Sequence, residues 1–471
     1  MAKSKHRKLA CNLIVVLSLG ILGTNPGYAN DAEYSQDPGL VGGNPLDALK
    51  AGFSDRPNHP VNRFPVSLST AFDVSYNNNP SVVEAIKNLD LAKAQIKIAS
   101  ARPNPQFAMQ YGFGTPYTEA IAGNTQQIGA NQLVEMGGKR GARMRYARAN
   151  YILTEYQLAD LRYDVRSSVR KAYAELAAAE ANIELVENQR SLIQRLSHIA
   201  EARYNAGKSP EVEMLQARLA LDQFETLRNT ALSRLRQASI ELDYLLGYSP
   251  DRDLDVEDNG LFRLSLKRTE LVPPPNEPIP ALDQLLNEAY QQRPDLKAAR
   301  QQVTTTDAAI KLAKADAIPD VLLGSGWVFS TYKKTDNVRQ QEGAYLNVNV
   351  DLPIFYHHEG EIAAAKATNK QAQDRQKAMT SRVEVDVRSA YTKIASARVN
   401  IAHYQKELIP LSLNVVRKAQ DSYESGKSDL SSAIVAQQQF QQTFSSYFDT
   451  VVNYQTAWAD LETAIGKKLN F

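Results

Sequence analysis

From Lys139 to Ala206 the chain has no proline and a single glycine, Gly141, and its apolar residues fall at helical spacing. Leu158, Val165, Ala172, Ala179, Val186 and Ile193 recur every seven residues, with Val169, Leu176 and Ile183 four positions after three of them. That spacing predicts a coiled-coil seam. At ~1.5 Å per residue such a helix would be roughly 100 Å long. Ala174, Ala177, Ala178 and Ala181 widen the small-residue surface beyond one stripe, which lets the helix meet neighbours on both sides. A period of two appears elsewhere. Phe107, Met109, Tyr111 and Phe113 alternate with Gln106, Ala108, Gln110 and Gly112, and Leu346, Val348, Val350 and Leu352 alternate with Tyr345, Asn347, Asn349 and Asp351. Each set predicts a strand with one apolar face. Weaker alternation near Gln126 to Glu135 and Asp320 to Thr331 predicts two more strands. The result is two hairpins, with polar loops expected at 115–125 and 331–343.

These patterns occur twice. Pro80 and Pro294 each open an amphipathic helix at an offset of 214, shared by Ala94-Gln95-Ile96-Lys97 with Ala308-Ala309-Ile310-Lys311 and by Pro105 with Pro319. The offset becomes 218 at Ala172-Tyr173 and Ala390-Tyr391, and again at Asn182-Ile183 and Asn400-Ile401. It becomes 219 at Tyr204-Asn205-Ala206-Gly207-Lys208-Ser209 and Tyr423-Glu424-Ser425-Gly426-Lys427-Ser428, and stays there to Gly247 and Gly466. Constant registers separated by drift are what duplication leaves. Each half reads as helix, strand, strand, very long helix, glycine turn, long helix. The repeats span 67–248 and 281–471. Residues 249–280 form a polar connector ending in Pro273-Pro274-Pro275 and Pro278, and 30–66 read as an extended arm.

The first 29 residues carry Lys3, Lys5, Arg7 and Lys8, then an apolar run from Leu13 to Leu22, then Gly27-Tyr28-Ala29. They are expected to be a cleaved signal peptide. The apolar run is too short to span a bilayer as a helix. Cys11, the only cysteine, precedes that run, so no lipid anchor on cysteine and no disulfide is expected. A net charge of +2 advertises no nucleic acid. The strands allow a soluble half-buried sheet, and periodicity alone favours it. Export and the isolation of each hairpin within helical sequence point instead to an outer membrane. Four strands cannot close a barrel, and open edges in lipid are prohibitive. Several chains must then pool their hairpins, and three would give twelve strands. In that reading Phe107, Met109, Tyr111 and Phe113 face lipid.

The turns at Gly207 and Gly426 reverse the chain, since glycine suits a left-handed helix end. Ser209 or Ser428 is positioned to cap the following helix. The turns are helix punctuation, or they are exposed tips where a partner docks through Tyr204, Gly207, Lys208 and Ser209, and through Tyr423, Gly426, Lys427 and Ser428. Lys139, Arg140, Arg143, Arg145 and Arg148 stand at a helix start, where cations oppose the helix dipole. Phosphate headgroups, solvent, or pairing with Glu135 would each compensate them. His357-His358-Glu359 suggests a metal site, yet adjacent histidines on a strand point to opposite faces, and an exposed strand-to-helix junction fits as well. Gly137-Gly138-Lys139 lacks the flanking residues of a phosphate loop. No catalytic constellation and no cofactor site is evident, so the chain does not read as an enzyme.

Together these features resemble the TolC-like outer membrane efflux family over essentially the whole mature chain. The resemblance is most specific at Arg293-Pro294-Asp295-Leu296, at Leu352-Pro353-Ile354-Phe355, and at the tip segment Ala202 to Ser209. Glu135-Met136-Gly137-Gly138-Lys139-Arg140 and Glu359-Gly360-Glu361-Ile362-Ala363-Ala364-Ala365 resemble its CzcC/CusC heavy-metal efflux branch. The resemblance implies a mainly α fold with a small β part. It implies a homotrimer with a twelve-stranded β-barrel in the outer membrane, continuing into a periplasmic α-barrel. The implied partners are a periplasmic adaptor and an inner-membrane resistance-nodulation-division pump, and the implied cargo is heavy-metal cations. A duct for drugs or secreted proteins, or a wholly periplasmic coiled-coil adaptor, are the alternatives. Family members often carry a carboxylate ring past the second tip. Here those positions hold Ser432 and Val435, with Asp429 the nearest acid.

Overall fold

The computed structural model describes residues 64–112, 125–249, 254–257, 263–266, 269–334 and 337–469, the side chains of 331–340 excepted. The expected signal peptide, the arm up to residue 63, Phe113 and most of the first hairpin loop lie outside those residues. Strand β1 (Phe64–Val66) leads into helix α1 (Leu68–Asn78), whose first turn is capped by Ser67 Oγ accepting from the Thr70 amide at 3.1 Å. Helix α2 (Pro80–Ser100) begins on Asn79, whose Oδ1 accepts from the Ser81 and Val82 amides at 3.0 and 3.3 Å. Pro80 fills the first helical position, where a missing N–H costs nothing. Strands β2 (Gln106–Gly112) and β3 (Thr125–Val134) follow, then the 67-residue helix α3 (Lys139–Asn205) and its return partner α4 (Glu211–Leu246).

The connector is more structured than its polarity predicts. It contains β4 (Leu254–Val256), β5 (Arg263–Leu264) and β6 (Thr269–Glu270), and β4 pairs in parallel with β1. Glu180 and Glu184 on α3 accept from the Val256 and Leu266 amides, which fastens the segment to the helix. The second repeat then retraces the first: α5 (Leu282–Gln292), α6 (Pro294–Asp316), β7 (Val321–Lys334), β8 (Asn337–Val350) and α7 (Glu359–His403). Helix α7 passes into α8 (Ile409–Glu424) through one π-helical turn at Tyr404–Leu408, where the Ile409 amide bonds Tyr404 O. The repeat offset grows from 218 to 219 across this stretch, so here the second repeat holds one residue more than the first. A π turn absorbs one residue without ending the helix. Helix α9 (Leu430–Ile465) returns from the second tip.

The four long strands form one antiparallel sheet in the order β2-β3-β7-β8, so the hairpins of both repeats share it and leave β2 and β8 as edges. Here one expectation is corrected. Residues 331–334 and 337–343, expected within a loop, continue the strands as paired backbone. Strand pairing runs on main-chain groups, and a run of polar residues does not end it.

Both repeats close in the same way. Gly247 and Gly466 end α4 and α9 with φ of 70° and 68°, in the left-handed region. A Cβ on Gly247 would stand 2.3 Å from Asn78 O, and one on Gly466 would stand 2.6 Å from Arg293 Cα. The last turn of each repeat therefore abuts the start of its own proline helix. The predicted seam forms the core: Leu158, Val165, Val169, Leu176, Val186 and Ile193 are buried, and Leu185 supplements the half-buried Ile183. The main apolar core spans both repeats, and a separate one near the tips gathers Ile193, Leu196, Phe224, Tyr423 and Leu430.

Candidate functional site: an apolar sheet face, a charged collar and two tips

Alternation along the strands gives the sheet two unlike faces. One carries Phe107, Met109, Leu323, Trp327, Leu346 and Val348, all exposed, with Leu346 at 87% and Phe107 at 74%. The other carries Gln106, Gln110, Gln127, Asn131, Asn347 and Asn349, on the alternate register positions of the same strands. Tyr111, on the same apolar face, is 51% exposed. Exposed apolar side chains in such a row are costly in water and suited to hydrocarbon. On the polar face Gly129 stands opposite Gly326, and Gly326 opposite Tyr345. A Cβ on Gly129 would lie 2.4 Å from Tyr345 Oη, so the tyrosine ring covers the paired glycines and shields their backbone.

Where strands give way to helices, charged side chains form a collar. Lys139 Nζ bonds Asp320 Oδ1 at 2.8 Å, joining the start of α3 to the start of β7. Arg143 forks onto both oxygens of Glu135, and Arg140 Nε donates to Ser100 O at 2.7 Å. Three of the five expected cations thus tie the collar together. Arg145 and Arg148 are exposed. Asp320 was not singled out from sequence, because its partner lies far away along the chain. His357 and His358 sit in the exposed turn before α7, each near a glutamate, Glu359 at 3.4 Å and Glu361 at 3.7 Å. Among the described residues no group of three or more His, Cys, Asp or Glu stands as a metal site. No described helix is long and apolar enough to cross a membrane.

At the tips Gly207 and Gly426 adopt φ of 66° and 71°. Lys208 and Lys427 are exposed, and the paired tyrosines diverge: Tyr204 is 37% exposed while Tyr423 is fully buried in the tip core. Arg203 explains the asymmetry. Its Nη2 donates to Tyr423 O at 2.7 Å and Glu424 O at 3.2 Å, and its guanidinium stacks 4.5 Å from the Tyr423 ring. A cation on the terminal carbonyls of α8 also suits the helix dipole. The capping expectation is corrected. Pro210 and Asp429, not Ser209 and Ser428, occupy the N-cap positions. Asp429 wins at the second tip because its carboxylate accepts from the Ser432 amide at 3.3 Å and from the Ser432 hydroxyl. The same bonds hold its carboxyl below the ordinary aspartate range. Val435, one turn on, is 50% exposed.

Midway along the helices a buried network joins the repeats. Glu462 on α9 pairs with Arg166 and Arg170 on α3 at 3.4 and 3.5 Å. Arg170 Nε also donates to Gln455 Oε1 at 3.1 Å, and its Nη2 to the connector carbonyl of Val272. Nearby, burial first, and then the Asp295 and Asp164 carboxylates, push Asp160 up to about 7. A raised carboxyl means that the folded state holds its proton longer than the unfolded chain. Its contribution to stability is whole below about 3.8 and is lost as pH rises through about 7. Stability in detergent, followed by the melting temperature, is therefore expected to fall across that window, by about 1 kcal/mol after solvent screening. Asp160→Asn should flatten the decline, and an unchanged slope would contradict the assignment.

These features define a class: the subunit of an outer-membrane channel built from long helical hairpins and a sheet with a lipid-type face. The outer membrane efflux protein family matches residues 73–248 and 285–467, one segment in each repeat, and the chain belongs to that family. The cobalt-zinc-cadmium resistance protein CzcC of Cupriavidus metallidurans is 23% identical over 403 residues, covering 86% of this chain and 90% of that protein. The nickel and cobalt resistance protein CnrC of the same organism is 25% identical over 321 residues, covering 68% and 71%. The crystal structure of the channel protein CusC superposes with a TM-score of 0.68 at 19% identity, covering 88% and 96%. At that identity the likeness speaks for the fold alone.

Proposed function

We propose that the chain is the outer-membrane exit duct of a tripartite efflux system, and that it exports heavy-metal cations. The observation that carries the duct is the four-stranded sheet, with an exposed apolar face and two unpaired edges. Lipid satisfies no backbone group, so those edges must meet other copies. Three copies pool twelve strands into one barrel, and the helices continue it as a periplasmic α-barrel. The duct has no catalytic step of its own. An adaptor docks at the tips through Tyr204, Gly207, Lys208 and Ser209, and through Tyr423, Gly426, Lys427 and Ser428, and links the duct to a resistance-nodulation-division pump. Asp429, Ser432 and Val435 line the periplasmic aperture. Arg145 and Arg148, beyond the internal pairs of the collar, meet phosphate headgroups of the inner leaflet. Residues 1–29 are removed on export, and Cys11 leaves with them.

The metal cargo rests on relatives named for cobalt, zinc, cadmium and nickel resistance. Deleting the gene should lower tolerance to such cations, and plasmid-borne protein in the outer-membrane fraction should restore it. A strain that loses only drug tolerance would overturn the metal reading. A protein found wholly in the soluble periplasmic fraction would overturn the duct.

A further inference from the structure

The polar face of the four-stranded sheet departs from an ordinary wetted surface in one respect. Charged residues make up 23% of the chain. From Gln341 to Asn349 on β8, and over the strand positions paired across from them, the sheet holds a single one, Glu342, and it pairs with Phe329 on the apolar face. The polar face carries none there among the described residues. Carboxamides stand in place of charge. One row crosses all four strands as Gln106, Asn131, Gly324 and Asn347, and another as Gln110, Gln127, Val328 and Gly343. Toward the hairpin tips Thr125, Ser330 and Gln341 stand in line. Charge resumes just past β8, at Asp351, which borders a cavity at the collar together with Asp316, Asp320 and Lys139. The step from charged to neutral lining thus coincides with the change from helices to strands.

That choice of side chain has a chemical consequence. A carboxylate is a hard oxygen donor that coordinates divalent cations and repels anions. A carboxamide presents N–H donors and a carbonyl acceptor together, without net charge, so it serves the water around an ion of either sign. Passage through a pore requires binding weak enough for the solute to leave again. In a membrane barrel the inward-facing side chains set selectivity independently of the lipid face. Lysine, aspartate or glutamate would keep this face equally wet, and all three occur at the collar. Asparagine and glutamine keep it wet without holding or rejecting a solute by its charge.

We propose that this face makes the barrel section a charge-neutral, carboxamide-lined passage, through which a metal leaves equally well as a hydrated cation or within a neutral or anionic complex. This deepens the duct reading and rests on it. The test reads the local potential in intact cells, at one position on the face. Gln110 is exposed and pairs directly with Gln127. Gln110→Cys is introduced into full-length protein carrying Cys11→Ser, so that its thiol is the only one. Cells are treated with a cationic or an anionic methanethiosulfonate of similar size, and each rate is divided by its rate with free 2-mercaptoethanol. The ratio of the two normalised rates is expected to stay near one. Adding Gln127→Glu should raise it about threefold or more, since a carboxylate about 5 Å away acts even through water. A ratio displaced from one, in either sense, by as much as the added carboxylate displaces it would overturn the neutral lining and leave the duct standing. A ratio that stays near one even with Gln127→Glu would show that solutes do not feel this face, and would also overturn the proposal. No modification by either reagent, in cells whose outer membranes hold the protein, would place the face away from a lumen and overturn the duct reading too.

Discussion

Gly326→Val is expected to abolish accumulation of the protein in the outer membrane. The substituted Cβ would lie 2.3 Å from Ile128 O, 2.6 Å from Gly129 Cα and 2.8 Å from Tyr345 Cε1. Two of those atoms are main chain of the neighbouring strand, so no rotamer change relieves the overlap. Strands β3 and β7 would have to separate at the one place where the hairpins of the two repeats join. Overpacking a tight site usually costs about 1–3 kcal/mol, and more when the backbone must move. Gly343→Val provides the control, since a Cβ there meets nothing within 4 Å in the same sheet. Immunoblots of membrane fractions should show normal protein for the control and none for the Gly326 variant. Equal levels of both would show that the sheet tolerates the opening.

Glu462→Ala should be nearly as damaging, through charge in place of volume. Glu462 is 3% exposed and Arg170 5%, so removing the carboxylate leaves a guanidinium deep among helices without its counter-charge. Burial already pushes the Arg170 pKa down, and Glu462 opposes that push. Breaking one side of such a pair costs about 3–5 kcal/mol. The effect should spread, because Arg170 also holds the Val272 carbonyl of the connector while Tyr454 Oη holds Pro273 O at 2.6 Å. Thermal melts followed by helical circular dichroism would register the loss. The double variant Arg170→Met with Glu462→Leu should recover much of it, since apolar packing can replace a buried pair. Failure of the double variant to improve on Glu462→Ala would place the cost in shape and not in charge.

The sequence made the long elements legible because their periods are physical consequences of burial. Leu158 to Ile193 repeat every seven residues since a helix of that length needs one continuous seam. Phe107 and Leu346 alternate with amides since the two sides of their sheet meet different surroundings. What escaped was decided by partners remote in sequence. Five cations at the start of α3 look alike in a string, yet Lys139, Arg140 and Arg143 are held by Asp320, Ser100 and Glu135, and Arg145 and Arg148 remain exposed. Ser209 and Ser428 had the residue type of a cap, but the turn geometry placed Pro210 and Asp429 there instead. The ends of β7 and β8 are polar enough to resemble a loop, yet their main-chain groups pair to Lys334 and Asn337. Arg203 had one available signal, a cation in the last turn of a helix, but nothing in sequence showed that the carbonyls it serves belong to the other repeat.

The extra residue in the second repeat gives the two tips different mechanics. The first is borne on α3, a rod of 67 residues without interruption. The second hangs from α8, beyond the Tyr404–Leu408 turn and Pro410, which lacks the amide that would stitch it to the preceding turn. A push on the first tip travels along an unbroken rod toward the collar, whereas a push on the second meets a compliant joint partway. Stiff and yielding members would then alternate around any ring of these chains, with Arg203 as the strut that couples each yielding tip to its rigid neighbour.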